Sequence, residues 1–238
     1  MADTRTRGRR ERLRAETTAE IKSVALELMA SGGPGAITLR AIAREMGMTP
    51  NAIYGYFATR DDLVTTLIND VYTSLADSVD AAWDAAPAKD PADRIPAWAH
   101  AFRGWALANP EGFRLIYGDP VPGYVVPEGG AAPDAAQRVC TALTGLAAAA
   151  WPHVEHLYAD SDFQWSDFDA GLLGKVRPAF PHLPPAGVAL ALRLWGHLHG
   201  LVSLEIYGHL HTQTTSPEKL FREELTQLVR SLGIAPKG

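Results

Sequence analysis

The 238-residue sequence predicts an all-α fold. Three observations carry that prediction. Apolar residues recur at intervals of three and four in most segments long enough to show a period. Hydroxyl and carboxylate residues stand at the starts of several of these segments, and glycine or proline at their ends. No stretch alternates apolar and polar residues over the length of a strand.

The elements follow in order. Residues 1–15 carry Arg5, Arg7, Arg9, Arg10, Arg12 and Arg14 with no apolar period, and read as a disordered basic arm. Thr17 with Glu20 forms a capping-box pattern, and Ile21, Val24, Ala25 and Leu28 give a first helix that ends near Gly32. Thr38 caps a second helix with Leu39, Ile42, Ala43 and Met46 inward, and Gly47 stops it. Thr49 caps a third, Pro50 fits its first turn, and it runs to about Phe57. "TRDD" opens a long helix from about Arg60 to Ala85, with Leu63, Leu67, Val71, Leu75 and Val79 on one side. "APAKDPAD" links it to a helix over 91–108. "NPEGFRLIYG" is a shorter helix, and "DPVPGYVVPEGGAAP" is too rich in proline and glycine to be regular. A helix over 133–151 follows. Residues 153–185 are acidic and aromatic without a period, and read mostly as loop. Residues 188–210 are apolar nearly all round, which predicts burial on most sides. A last amphipathic helix covers 217–232.

Charge is uneven along the chain. Residues 1–60 hold 10 Lys/Arg against 6 Asp/Glu, a net of +4, and the rest hold 12 against 21, a net of −9. A basic head on an acidic body suits an anionic partner at one end. The single cysteine, Cys140, excludes an intrachain disulfide framework and fits a reducing, cytoplasmic setting. Its Ala/Leu-rich surroundings make it a structural thiol. There is no signal-peptide pattern, and no apolar run of membrane-spanning length.

The second and third helices with their glycine turn form a helix-turn-helix. Ile53 and Phe57 point inward with Ile42, Met46 and Leu63. Thr49, Pro50, Asn51, Tyr54, Gly55 and Tyr56 are left facing out or at the rim, the surface a major groove accepts. Arg60 and Thr38, each at a helix start, are placed for phosphates.

"GAITLRAIAREMGMTPNAIYGYFATRDDL" resembles the DNA-binding head of TetR-family transcription regulators. The likeness lies in Thr38 as cap, the "AIAREMG" helix, and the run Ile53, Tyr54, Gly55, Tyr56, Phe57, Arg60, Leu63, over about residues 15–65. It implies DNA contacts from Thr38, Arg40, Thr49, Pro50, Asn51, Tyr54, Tyr56 and Arg60. Gly55 departs from the bulkier residue usual there, and weakens a helix by about 1 kcal/mol relative to alanine. "LRLWGHLHGLVSLEIYGHL", with Trp195, His199 and Gly200, resembles the Trp-His-Gly type of C-terminal regulatory domain. The domain plan expected is a basic arm over 1–15, a helix-turn-helix domain over 16–62, and a helical ligand-binding and dimerisation domain over 63–238.

Other constellations carry less. His197 and His199 lie on different helix faces, and no cysteine or carboxylate completes a ligand set with any histidine pair, so no metal is expected. The acidic "DSDFQWSDFD" has Trp165 where a calcium loop needs glycine. No phosphate loop or nucleophile elbow anchors catalysis, so neither an enzyme nor a cofactor is expected. Trp98, Phe102, Trp105, Phe113, Tyr117, Trp195 and His199 form an aromatic set that reads singly as core and together as a cavity lining for a small-molecule effector. The helices over 188–210 and 217–232 are candidates for a homodimer contact, with Gly196 and Gly200 permitting close approach. The expected function is a dimeric, sequence-specific DNA-binding regulator on a palindromic operator, a repressor released by ligand. The alternative is an all-helical ligand-binding protein or enzyme with a structural helix-turn-helix.

Overall fold

A computed structural model describes residues 2–86 and 90–234, with side chains from Gly8 onward. Among these residues ten α-helices run in chain order: α1 Ala2–Gly32, α2 Leu39–Glu45, α3 Pro50–Tyr54, α4 Arg60–Ala85, α5 Pro91–Ala108, α6 Pro110–Tyr117, α7 Pro133–Val154, α8 Ala170–Ala179, α9 Pro185–Ile206 and α10 Pro217–Ser231. Among the described residues there is no strand, and no helix is long and apolar enough to cross a membrane.

The chain divides into two compact units. The first is Met1–Tyr72 with Asn109–Pro133, and the second is Thr73–Ala108 with Asp134–Gly238. This differs from the boundary expected at 62/63, which falls inside the unbroken helix α4. The first unit also recovers a later segment, because α6 packs against α1. Gly112 of α6 lies so close to Val71 that a Cβ would sit 3.3 Å from its methyl.

In the first unit the core is Ile21, Ala25 and Met29 of α1, Ile42 and Ala43 of α2, Ile53, Phe57, and Leu63, Val64 and Leu67 of α4. The caps are where the sequence places them. Thr38 Oγ1 accepts from Ala41 N–H at 3.1 Å and Thr49 Oγ1 from Ala52 N–H at 3.3 Å. Gly47 adopts φ 64°, a left-handed turn that glycine enters without strain.

Two expectations for α1 are corrected. The arm over 1–15 is helical from Ala2, although the side chains of Arg5 and Arg7 lie outside the described residues. Arginine, glutamate and leucine are good helix formers, and Arg12 pairs with Glu16 one turn on. Thr17 is therefore interior rather than a cap. Its hydroxyl donates to the Leu13 carbonyl one turn back.

In the second unit Leu75 and Val79 of α4 join Ile95, Trp98, Phe102 and Trp105 of α5, Leu143 and Leu146 of α7, Leu194, Leu198 and Val202 of α9, and Phe221 and Leu225 of α10 as buried residues. An ion pair between Arg103 and Glu205, with two hydrogen bonds of 2.8 and 2.7 Å, joins α5 to α9. Residues 87–89, the middle of the α4–α5 linker, lie outside the described residues.

The stretch 153–185 is more regular than its sequence suggests. It holds two short 3-10 turns and the helix α8, which Asp169 caps by accepting from Gly171 and Leu172 N–H. Val176, Leu183 and Val188 are buried there, with Trp151, Trp165, Phe168, Leu172, Phe180 and Cys140 against them. Gly171, Gly174 and Pro178 hide the helical period, while this packing supplies the stabilisation that propensity does not. Cys140 is a half-buried packing residue.

Helix α9 also departs from expectation. Leu192, Trp195, Leu204 and Tyr207 are exposed, at 37–44% of full accessibility. At 3.6 residues per turn, Leu192, Leu204 and Tyr207 fall on one side of the helix around Gly196 and Gly200, whereas Trp195 lies opposite Leu204. A Cβ added to Gly196 or Gly200 would meet nothing within 4 Å.

Candidate nucleic-acid interface

The reading helix α3 is held from behind and bare in front. Ile53 is fully buried and Phe57 nearly so, both against the α2 and α4 core. The Phe57 N–H donates to the Ile53 carbonyl, so the helical turn continues past α3 and sets both side chains on the core side. Thr49, Pro50 and Asn51 are exposed, and Tyr54 keeps 50% of its accessible surface. On α2, Thr38, Arg40 and Arg44 are exposed.

Tyr56 sits at the rim. The Arg14 guanidinium lies 4.9 Å from its ring centroid, a cation–π contact, and Arg14 Nη2 donates to the Gly55 carbonyl at 2.7 Å. Arg14 therefore ties α1 to the end of α3 across 41 positions. No local spacing in the sequence announces this residue. Gly55 lies past the last helical residue as the C-cap, where an added Cβ would sit 3.2 Å from the Ala52 carbonyl oxygen. Its low helix propensity therefore does not weaken the reading helix. The helix is also shorter than expected, ending at Tyr54, with Tyr56 and Phe57 N–H both donating to the Ile53 carbonyl.

Arg60 is half-buried and otherwise engaged. Its Nε donates to the Ile37 carbonyl at 2.5 Å and its Nη1 to the Pro122 carbonyl at 2.8 Å. The Thr65 and Tyr124 hydroxyls lie 2.9 Å apart, and Val125 N–H donates to Asp61 Oδ2 at 3.3 Å. The irregular segment after α6 is thus pinned to the first turns of α4. The sequence shows this segment only as irregular, because its anchors are backbone groups that any residue carries.

The expected aromatic set is divided. Phe113 and Tyr117 belong to the first unit, 5.1 Å apart between ring centroids, with Tyr72 edge-on to Tyr117 at 6.2 Å. Burial pushes the phenols of Tyr117 and Tyr72 above their ordinary values. The other five belong to the second unit. Trp98 stacks on Phe102 at 5.4 Å, Phe102 lies 6.5 Å from His199, and His199 lies 5.2 Å from Trp195. Trp105 Nε1 donates to Ser74 Oγ at 3.0 Å. His199 Nδ1 lies 3.3 Å from Ser203 Oγ, and burial holds the imidazole below its ordinary pKa.

Comparison with known proteins agrees with this geometry. Residues 21–67 match the family described as bacterial regulatory proteins of the tetR family, and residues 95–228 match a tetracyclin repressor-like C-terminal domain. The HTH-type transcriptional regulator Rv1816 of Mycobacterium tuberculosis is 34% identical over 234 residues, covering 94% of this chain and 96% of that protein. Its counterpart Mb1846 of Mycobacterium bovis gives the same figures. Among solved structures, the regulatory protein SCO4313 is 37% identical with a TM-score of 0.68, over 92% of this chain and 98% of that one. A tetR-family regulatory protein from Rhodococcus RHA1, 21% identical with a TM-score of 0.61 over 92% and 97%, shares the fold. With a helix-turn-helix presenting a bare outer face and relatives matched over nearly their whole length, this chain belongs to the TetR family of DNA-binding transcription regulators.

Proposed function

We propose that the protein is a repressor that binds a palindromic operator as a homodimer and is released by a small-molecule effector. The observation that carries the DNA part is the exposed face of α3. Pro50, Asn51 and Tyr54 stand outward on a helix whose other side is anchored by Ile53 and Phe57. Asn51 and Tyr54 meet base edges in this reading. Thr38, Arg40, Thr49 and Tyr56 contact the flanking backbone. Arg14 holds Tyr56 and the end of α3 in place. Arg60 acts mainly by bracing the start of α4, with its two carbonyl bonds taking much of its donor capacity.

Dimerisation is supported by the α9 face of Leu192, Leu204 and Tyr207, within which Gly196 and Gly200 present open sides. A second copy of the same face would cover the apolar area and place two α3 helices on successive half-sites. Effector binding is supported by the aromatic contacts of Trp98, Phe102, Trp195 and His199. Trp98 Nε1 is buried and donates to no acceptor among the described residues, which suits a ligand carrying an acceptor. Release follows if the effector favours a state in which α4, shared by both units, holds the reading helices at the wrong spacing.

Selection from a random duplex library tests the reading. The expected result is an enriched motif with two-fold symmetry, bound by the native chain and bound about tenfold more weakly after Tyr54→Ala. An unsymmetrical or unselective pool would contradict it.

A further inference from the structure

We propose that a groove in the second unit, between the last turns of α4, one face of α7 and the end of α8, binds a planar aromatic cation. The proposal rests on the effector-controlled reading above but uses none of the aromatic residues that the sequence singled out. The groove has a volume of about 560 Å³, within the roughly 300–1,000 Å³ usual for small-molecule sites.

Its walls are aromatic and fixed. Trp83 of α4 and Phe180 after α8 both reach Gly145 of α7. A Cβ at 145 would lie 3.2 Å from the Trp83 Cη2 and 3.7 Å from the Phe180 Cζ. The glycine thus lets both rings come down onto the helix, with Ala142 beside it in the floor. The Arg94 guanidinium stacks 4.1 Å from the Trp83 ring centroid and holds the indole. Two aromatic rings beside an apolar floor favour an aromatic ligand that can pack on them.

Its charge is negative. Asp80, Asp134 and Arg138 line it, with Gln137 and Thr141 between them along α7. Arg138 is already neutralised. Its Nη2 donates to Asp77 at 2.7 Å and to Asp80 at 2.7 Å, and its Nε donates to Asp80 at 2.9 Å. Asp134 makes no ion pair with the described residues, and so remains the lining charge without an opposite partner. Ring faces also attract cations. An anionic ligand would meet two carboxylates and an arginine already bound, whereas a cation meets those carboxylates and two aromatic rings, with Arg138 paired to Asp77 and Asp80 and Arg94 occupied on Trp83.

Equilibrium titration of the full-length chain without DNA tests this, using ethidium as the aromatic cation and anilinonaphthalene sulfonate as the anion. Saturable binding of one ethidium per chain is expected, at least tenfold tighter than the anion. Ala142→Phe fills the floor and should weaken ethidium at least tenfold. Asp134→Asn, an exposed change that leaves packing intact, should weaken it at least threefold without a matching loss for the anion. Should Ala142→Phe fail to fold by circular dichroism, Phe180→Ala replaces it with the same expectation. Tighter binding of the anion, or ethidium binding indifferent to Asp134→Asn and to the wall variants, overturns the proposal. Operator affinity, measured separately on the same variants, distinguishes the two readings. Loss of ethidium binding with the operator selection intact removes only the groove, and failure of that selection removes the regulator reading.

Discussion

At the scale of single residues, the division of labour on α3 decides the account. Ile53 and Phe57 were legible as anchors because a four-residue spacing between apolar side chains fixes a face. The exposure of Tyr54 was legible because it stands next to Ile53, about 100° round the helix and off the anchored face. Tyr54→Ala should therefore weaken binding to the selected operator about tenfold, a cost of ~1–3 kcal/mol, while leaving the thermal midpoint within a degree or two. Fluorescence anisotropy and a melting curve check both. Arg14→Ala should also reduce operator affinity, and the effect should be recovered only in part by Arg14→Lys. A lysine keeps the charge but cannot both stack on Tyr56 and donate to Gly55 in the same way. Arg14 was invisible in the sequence because its partners are a ring and a carbonyl 41 positions away. His199 gives a pH prediction. Its folded pKa lies below the unfolded value near 6.5, so the unfolded chain takes up the proton first and stability falls as pH drops through that value. The melting midpoint should decline from pH 7.5 to 5.5, and His199→Gln should shrink that decline; an unchanged decline would show that His199 is not its source.

At the scale of elements, caps and turns were the most readable features and long-range packing the least. Thr38, Thr49 and Gly47 announce themselves because each does a local job on its own backbone. Gly47→Ala tests this. With nothing near its Cβ position, only the left-handed φ of 64° opposes the methyl, so a loss of about 1–2 kcal/mol is expected in urea unfolding. The ends of α1 and the existence of α8 were not readable. In α1 a run of arginines resembles a solvated tail as much as a helix face. In α8 the glycines and the proline mask a period that burial of Val176 enforces. Arg60 belongs to this scale as well. Removing its bonds to Ile37 and Pro122 in Arg60→Ala should raise amide exchange in residues 120–126, at Tyr124 and Val125 above all, with little change in the α2 helix.

At the scale of the whole molecule, both the apolar character of α9 and its candidacy for a homodimer contact were legible. Nearly continuous hydrophobicity predicted burial on most sides, and in the single chain Leu192, Leu204 and Tyr207 stay exposed. A self-associating face would cover them. Leu192→Glu with Leu204→Glu should convert a dimer into a monomer in sedimentation, and operator affinity should fall because a lone head reads only one half-site. The charge split between head and body, also plain in the sequence, bears on the DNA end of the molecule. Neutralising phosphates releases counterions, so the logarithm of affinity should fall linearly and steeply with the logarithm of salt concentration.

The most direct measurement is a titration of the selected two-fold operator by native protein and by Tyr54→Ala at one fixed salt concentration, with a scrambled duplex beside it. The account predicts tight, saturable binding of the native chain to the operator, binding to the scrambled duplex weaker by at least about a hundredfold, and a difference about tenfold smaller in the variant. Equal binding to both duplexes, or a variant that discriminates as well as the native chain, would contradict the claim that the outer face of α3 reads DNA.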